Sequence, residues 1–255
     1  MPEWISGSSV TGVTAAIDRS LTFSEDNIQV WGSGVRRLVV ALSGDATTTI
    51  ANIRRITLKV KSQLRIDAPP IHIAAWLSAF TKKEEWASTA TRFTIPLDMF
   101  MGLGADPSGK LRLEIEKAAA MLTPTAALHE YVDDETPVTA FGNFLSTSQS
   151  LVGASANTQP VSIQGEGTLL GITVPDVANV TLLRVKNKGR LVTEFTSSQA
   201  IIEANQLGRG GTVVTTVYVP IPPFEIGPST LIQVSTGAGY TAGEWGIHTV
   251  QQYAS

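Results

Sequence analysis

The chain has 255 residues, of which 43% are hydrophobic and only 16% charged, with a net charge of −3 and no cysteine. This length allows one large domain or two domains of ordinary size, with enough apolar material for real cores. The composition excludes disulfides and cysteine-based metal sites, and the scattered basic residues do not form the positive stripe that direct nucleic-acid binding requires.

Residues 1–34 are rich in Gly, Ser and Thr, and they predict an N-terminal arm followed by one edge strand. Trp4 and Ile5 are large hydrophobic residues for such an arm, and they suit a contact with a neighbouring subunit or with lipid headgroups. The alternative is that Trp4 packs on its own domain. The start lacks a basic-then-apolar leader, and no apolar run approaches the roughly 18–20 residues of a spanning helix. We therefore expect assembly in a cytoplasm, the alternative being export by a route that the sequence does not show.

Alternating apolar and polar residues predict strands at 37–42, 53–66, 92–97 and 110–115 in the first half. Between the second and third of these, the hydrophobic period changes. Asp67 followed by two prolines is typical of a helix start. Four apolar residues then recur at helical spacing and predict the buried face of a helix over 71–80: Ile73, Trp76, Leu77 and Phe80.

The second half repeats this plan. Strands are predicted at 169–174, 180–192, 212–221, 228–235 and 246–252. Thr196 and Gln199 have the spacing of a capping box, which predicts a helix over 200–207. Each half therefore contains several strands, one helix and then more strands.

Short segments also recur in the same order in both halves. Ile50-Ala51-Asn52-Ile53 returns as Val177-Ala178-Asn179-Val180, and Ile95-Pro96-Leu97 returns as Val219-Pro220-Ile221. The number of residues between matching positions shrinks slowly along the chain, as deletions in loops would produce. This repeat is too long for a solenoid and indicates duplicated domains. We predict an all-β protein with two tandem β-sandwich (jelly-roll) domains, each with one short helical insertion. The predicted boundaries are 1–34 for the arm and edge strand, 35–127 for the first jelly roll, 128–140 for the linker and 141–255 for the second jelly roll.

No catalytic constellation is visible in the sequence. His72, His129 and His248 lie in unrelated contexts, and the glycine-rich segments do not connect a strand to a helix as a phosphate loop does. The acidic run at 133–135 could help to hold Ca²⁺, but it lacks ligand spacing and is more typical of a solvated turn. We therefore expect no enzyme, no catalytic or metal-binding residue and no cofactor. The fold is duplicated, but no acid, base or nucleophile is duplicated with it. This suggests that the protein functions through the geometry of its fold.

The order of elements in residues 35–117 resembles a known family. A short strand and turn precede ANIRRITLKVKSQLRI, which is followed by the helix PIHIAAWLSAF, the strand TRFTIPLDMF and a loop into SGKLRLEIE. This order is similar to the N-terminal jelly roll of corticovirus-type major capsid proteins, the double jelly-roll coat proteins of the corticovirus/tectivirus-like lineage. Those proteins build the icosahedral capsids of bacteriophages with an internal membrane.

The resemblance implies a structural virion protein. Three chains would contribute six jelly rolls to a pseudo-hexagonal, homotrimeric capsomer, which would contact neighbouring capsomers and minor capsid proteins. It also implies an internal lipid membrane beneath the shell, with Trp4 and Ile5 on an arm that contacts neighbours or the membrane side. The expected location is the virion capsid, assembled in the host cytoplasm, with no sequence-specific nucleic-acid binding.

The alternative function is a carbohydrate- or receptor-binding β-sandwich, such as a virion spike or an adhesin module. Trp31, Trp76, Trp86 and Trp245 could supply stacking platforms for a sugar. Trp76 fits a helix core better, whereas Trp245, flanked by Gly243 and Gly246, is the best candidate for an exposed platform. A third alternative, an enzyme on a β-sandwich, requires paired carboxylates facing a cleft. Particle size separates the first two functions, because a lectin stays small.

Overall fold

The structure is a computed structural model. It describes residues 3–11, 20–23, 35–60, 63–79, 86–87, 89–96, 111–122, 124–132, 140–148, 159–161, 163, 167–207, 215–241 and 243–252. The chain divides into two compact units. Unit 1 comprises Met1–Pro70, Glu84–Asn143 and Gln252–Ser255, and unit 2 comprises Ile71–Lys83 and Phe144–Gln251.

The first eight strands are β1 Glu3–Thr11, β2 Ser20–Phe23, β3 Val35–Ser43, β4 Ile53–Val60, β5 Gln63–Ala68, β6 Arg92–Pro96, β7 Leu111–Lys117 and β8 Thr125–Val132. In unit 1 they lie in two antiparallel groups, with the orders β1-β8-β3-β6 and β2-β7-β4-β5. This strand order is that of a jelly roll. Alternate residues of both groups are buried and form the core, among them Leu38, Val40, Phe93, Ile95, Leu128, Leu21, Phe23, Ile56, Leu58, Leu113 and Ile115.

The next eight strands repeat the pattern. They are β9 Ala140–Ser148, β10 Gln159–Val161, β11 Thr168–Pro175, β12 Val180–Asn187, β13 Arg190–Phe195, β14 Thr216–Glu225, β15 Leu231–Thr236 and β16 Glu244–Gln252. Their orders are β9-β16-β11-β14 and β10-β15-β12-β13, which are the orders of unit 1 with eight added to each strand number. The core of unit 2 includes Ile172, Val174, Val185, Val219, Ile232, Val234, Trp245 and Ile247.

In each jelly roll a described helix lies between the fifth and sixth strands. Helix α1, Pro70–Ser78, follows β5, and helix α2, Ser197–Leu207, follows β13. The capping box at the start of α2 is formed, because the Thr196 backbone N–H donates to Gln199 Oε1 at 2.9 Å. The predicted all-β fold of two jelly rolls, each with one helical insertion, is therefore confirmed.

The sequence repeat corresponds to a repeated turn. A 3₁₀ turn that ends at Asn52 precedes β4, and one that ends at Asn179 precedes β12. The carbonyl of Asn52 accepts a hydrogen bond from the Ala118 N–H at 2.7 Å, and that of Asn179 accepts one from the Gly237 N–H at 2.7 Å. Ala118 and Gly237 each follow the seventh strand of their unit. The matched asparagines thus hold the same place in the two hydrogen-bond patterns.

The N-terminal segment and the predicted linker both contain paired strand. Residues 3–11 form β1 and pair with β8, where Trp4 lies opposite Tyr131 and Ile5 opposite Glu130. The predicted linker of 128–140 begins inside β8, which also pairs with β3. The reason is long-range pairing: β8 lies between β1 and β3, and neither neighbour adjoins it in sequence. The side chains of Trp4 and Ile5 lie outside the described part of the structure, as do Phe80 and the acidic run at 133–135.

Helix α1 belongs to unit 2, although it connects two strands of unit 1. From the sequence, the helices over 71–80 and 200–207 are expected to cap or plug the barrels at equivalent places. They are equivalent in chain order, but the described contacts of α1 are with residues of β9, β11 and β16. Among the described residues, no helix is both long and apolar enough to cross a bilayer.

Candidate functional site

The outer face of one sheet in unit 2 is as buried as its core face. On β11, Ile172 and Val174 face the core, while Thr173 points to the opposite side and is still fully buried. On β16, Trp245 and Ile247 face the core, and His248 on the other side is only 2% exposed. A strand that is buried on both sides needs a covering layer, and helix α1 provides it.

Two glycines make this close packing possible. A Cβ atom built on Gly246 would lie 2.2 Å from Thr173 Oγ1 and 2.5 Å from Phe144 Cζ. A Cβ atom on Gly171 would lie 2.2 Å from the Tyr218 ring and hydroxyl. Glycine within a strand often marks a place where another group approaches the backbone closely. Here the approaching groups are side chains of β9, β11 and β14.

Six residues form what we call the histidine cluster: His72, Trp76, Phe144, Thr173, Tyr218 and His248. His72 Nδ1 lies 2.7 Å from Thr173 Oγ1, which also accepts a hydrogen bond from the Gly246 N–H at 2.9 Å. The Tyr218 hydroxyl lies 2.9 Å from His248 Nδ1. The Trp76 ring is stacked on Phe144 with centroids 4.6 Å apart, and its centroid lies 5.1 Å from that of His248.

Burial determines the protonation states in the cluster. It lowers the pKa of His248 to about 3, and it raises the pKa of the Tyr218 phenol. At neutral pH the phenol therefore keeps its proton and the imidazole is uncharged. The Tyr218 hydroxyl and His248 Nδ1 therefore share a hydrogen bond between two neutral groups, and the tautomer of the ring sets which of them donates.

The geometry of the cluster supports packing, and it offers no reacting centre. His72 is 4% exposed, Tyr218 2% and His248 2%, so a substrate would have no access to them. Within the described ranges, no group of three or more His, Asp or Glu side chains could hold a metal ion. The hydrogen bonds and stacked rings attach α1 to the sheet.

The tryptophans that could have bound sugars are buried wherever their side chains are described. Trp245, the best candidate for an exposed platform under the alternative function, is 0% exposed and belongs to the core of unit 2, so it is not such a platform. The reason is strand register, because Trp245 and Ile247 occupy alternate inward positions on β16. Trp86 is 6% exposed and packs 5.4 Å from the Phe93 ring centroid. Trp31 lies outside the described residues.

The predicted helix face is partly described. Ile73, Trp76 and Leu77 are at most 1% exposed. The sequence pattern did not reveal that His72 and His248 belong to one cluster. Two signals could have suggested it: His72 lies four residues before Trp76 on one helical face, and Gly171 and Gly246 interrupt strands. His129, on β8 of unit 1, is half-buried and separate from the cluster.

Comparison with known proteins rests on structure alone. No protein-family model matches the chain, and no curated protein matches it. The solved structure of the major capsid protein P2 of bacteriophage PM2 is similar over 100% of both chains, with a TM-score of 0.70 and 10% identity. That protein is a double jelly-roll capsid protein of a corticovirus. The chain shares this fold.

Two further capsid proteins have the same architecture. The STIV major capsid protein matches over 98% of this chain and 96% of its own, with a TM-score of 0.67 and 8% identity. VP54 of PBCV-1 matches over 98% of this chain and 93% of its own, with a TM-score of 0.58 and 10% identity. The resemblance seen in the sequence is therefore confirmed at the level of fold.

Proposed function

We propose that this chain is the major capsid protein of an icosahedral virus, a structural protein and not an enzyme. The observation that carries the proposal is the presence of two complete eight-stranded jelly rolls in one chain. The similarity to the PM2 capsid protein supports it, because the match covers 100% of both chains. The weakly charged sequence also suits a protein whose surface is largely covered by other subunits.

The proposed mechanism is tiling. Two jelly rolls in each of three chains supply six barrels, so a threefold trimer presents a nearly sixfold outline to its neighbours. Such a trimer is closed by heterologous interfaces, each joining one patch to a different patch on the next copy. A stable interface of this kind buries on the order of 1,200–2,000 Å² or more. The further partners would be neighbouring capsomers, minor capsid proteins and an internal membrane, within a virion assembled in the host cytoplasm.

The glycan-binding alternative is less well supported. Its sequence evidence was the set of tryptophans, and Trp76, Trp86 and Trp245 are all buried. A stacking platform must expose the face of its ring, so these three side chains cannot serve. No described feature favours this function over assembly.

Trp4 and Ile5 remain our candidate assembly residues. They lie on β1, which is an edge strand in the order β1-β8-β3-β6, and an edge strand offers unpaired backbone groups to another chain. Replacing both with Ala leaves the backbone pairing possible while removing the large side chains. We expect the double variant to form trimers but fewer shells in an assembly assay monitored by electron microscopy. Shell yields equal to wild type would contradict a role for these side chains.

The oligomeric state tests the proposed function directly. Light scattering coupled to size-exclusion chromatography should give about three times the 27.1 kDa mass of one chain. Negative-stain images of that species should show hexagonal outlines, and concentrated samples should form shells or flat sheets. A stable monomer at micromolar concentration would count strongly against the proposal, and glycan binding by that monomer would favour the alternative.

A further inference from the structure

Helix α1 meets the sheet of unit 2 through a cluster that contains two titratable rings. His72 bonds to Thr173 of β11, and Trp76 packs against Phe144 of β9 and His248 of β16. Two of the three histidines in the chain thus lie at one junction, each more than nine-tenths buried. Histidine is the side chain whose ordinary pKa makes its charge sensitive to mild acid.

The other titratable groups on these elements lie away from the junction or carry no charge there. Across α1, β9, β11, β14 and β16 the sequence places five: His72, Tyr218, Glu225, Glu244 and His248. On β5, the strand before α1, Arg65 is a further buried cation, and a guanidinium does not change its charge in mild acid. Tyr218 is neutral at neutral pH because burial raises its pKa. Glu225 pairs with Thr168 at the far end of β11. Glu244 is four residues from His248, or about 13 Å along an extended strand, and accepts a hydrogen bond from Ser146.

We propose that the histidine cluster is an acid-sensitive latch, in which protonation of His72 and His248 releases helix α1 from the outer face of the sheet while the core of unit 2 stays folded. The proton comes from the solvent, and no covalent bond changes. A second proton makes both ring nitrogens of His248 donors, so Nδ1 can no longer accept from the Tyr218 hydroxyl and the hydroxyl oxygen must accept from the ring instead. The added charge also lies beside the Trp76 ring, at a position that is only 2% exposed and is therefore shielded from bulk solvent.

The direction of the coupling follows from burial. While α1 is docked, the pKa of His248 is held near 3; in solvent it returns to about 6.5. The released state therefore binds protons more readily than the docked state, and acid favours release. The core on the other face of the sheet consists of apolar residues and Tyr240, so mild acid does not charge it.

The absence of cysteine in the sequence makes a thiol-labelling test specific. Ala75, on α1, is 1% exposed, and Ser198, on α2, is exposed. We would introduce Ala75→Cys and Ser198→Cys separately and measure their reaction with 4,4′-dithiodipyridine from pH 7 to pH 4.5. The ratio of the two rates removes the intrinsic pH dependence of the reagent. We expect this ratio to rise at least tenfold in acid, because the pKa of His248 is lowered from 6.5 while the helix is docked, and pH 4.5 lies two units below 6.5, which allows up to about 100-fold coupling through that residue.

Matched histidine variants separate the latch from general acid sensitivity. In the Ala75→Cys background, His72→Gln and His248→Gln should each reduce the rise, since Gln can replace the hydrogen bond without titrating. His129→Gln should leave it unchanged. A rate ratio that stays flat with pH, or a rise that only His129→Gln removes, would overturn the proposal.

A probe in the core distinguishes release of the helix from unfolding of unit 2. Val234 is fully buried on β15, so Val234→Cys should stay unreactive at the pH at which Ala75→Cys reacts. Parallel labelling of both sites would show global unfolding and would refute a local latch. If Ala75→Cys fails to fold, hydrogen exchange can be measured in the unmodified chain over the same pH range. Faster exchange of residues 70–78 than of β15 would show release of the helix, and a parallel increase in both would show unfolding of unit 2.

Discussion

Trp76→Ala tests whether helix α1 is an integral part of unit 2. Trp76 is 1% exposed and stacks on Phe144 with an interplanar angle of 1°. A tryptophan buries about 150–250 Å², and at about 25 cal/mol per Å² this gives an upper estimate of about 4–6 kcal/mol. Because Ala keeps part of that area and the site relaxes incompletely, we expect a loss of roughly 3–5 kcal/mol in the free energy of unfolding.

The assay is urea unfolding followed by circular dichroism, together with hydrogen exchange of the strands beneath the helix. A loss of this size should lower the melting temperature by about 6–20 °C for a chain of this length. Exchange should increase most in β11, β14 and β16, since α1 covers that sheet. Trp76→Phe should recover a large part of the loss, because a smaller ring can still stack on Phe144.

Trp86→Ala is the matched control. Trp86 is also buried, but it packs against Phe93 in unit 1, so its loss should increase exchange in β6 instead of β11. A wild-type melting temperature for Trp76→Ala would refute the reasoning and indicate a solvent-facing ring. So would increased exchange confined to the strands of unit 1.

Three further predictions concern packing, pH and the N-terminus. Gly246→Ala should lower the free energy of unfolding by about 1–3 kcal/mol, because the added Cβ would clash with Thr173 Oγ1. Gly227→Ala is the control: no atom lies within 4 Å of a Cβ built there, so the urea midpoint should change little. Burial lowers the pKa of His248 from 6.5 to about 3, so below pH 6.5 the unfolded chain takes up a proton that the folded chain does not. The free energy of unfolding should therefore fall by roughly 1 kcal/mol per pH unit between those two values. In urea titrations from pH 7 to pH 4, His248→Gln should reduce this dependence on pH. Deleting residues 1–12 should lower the melting temperature, since β8 loses its partner β1; an unchanged melting temperature together with failed shell assembly would instead indicate a free arm.

The sequence by itself determined the all-β class, the duplication and the helical insertions. These features are local or periodic: alternation along strands such as β7, the spacing of Ile73, Trp76 and Leu77 in α1, and the capping box before α2. The asparagines of the repeat were also identifiable, because each ends a short turn whose pattern depends on neighbouring residues. Because the residues around each asparagine are similar, the same short turn forms in both units.

Tertiary structure alone decided which elements meet. Pairing of β1 with β8 joins segments more than 100 residues apart, and no local pattern specifies such a partner. The same holds for the burial of Trp245, which depends on which face of β16 is turned to the core. The docking of α1 in unit 2 and the presence of His72 and His248 in one cluster also depend on long-range packing. An apolar helix face indicates that the helix is covered by another surface, but it does not specify which surface that is.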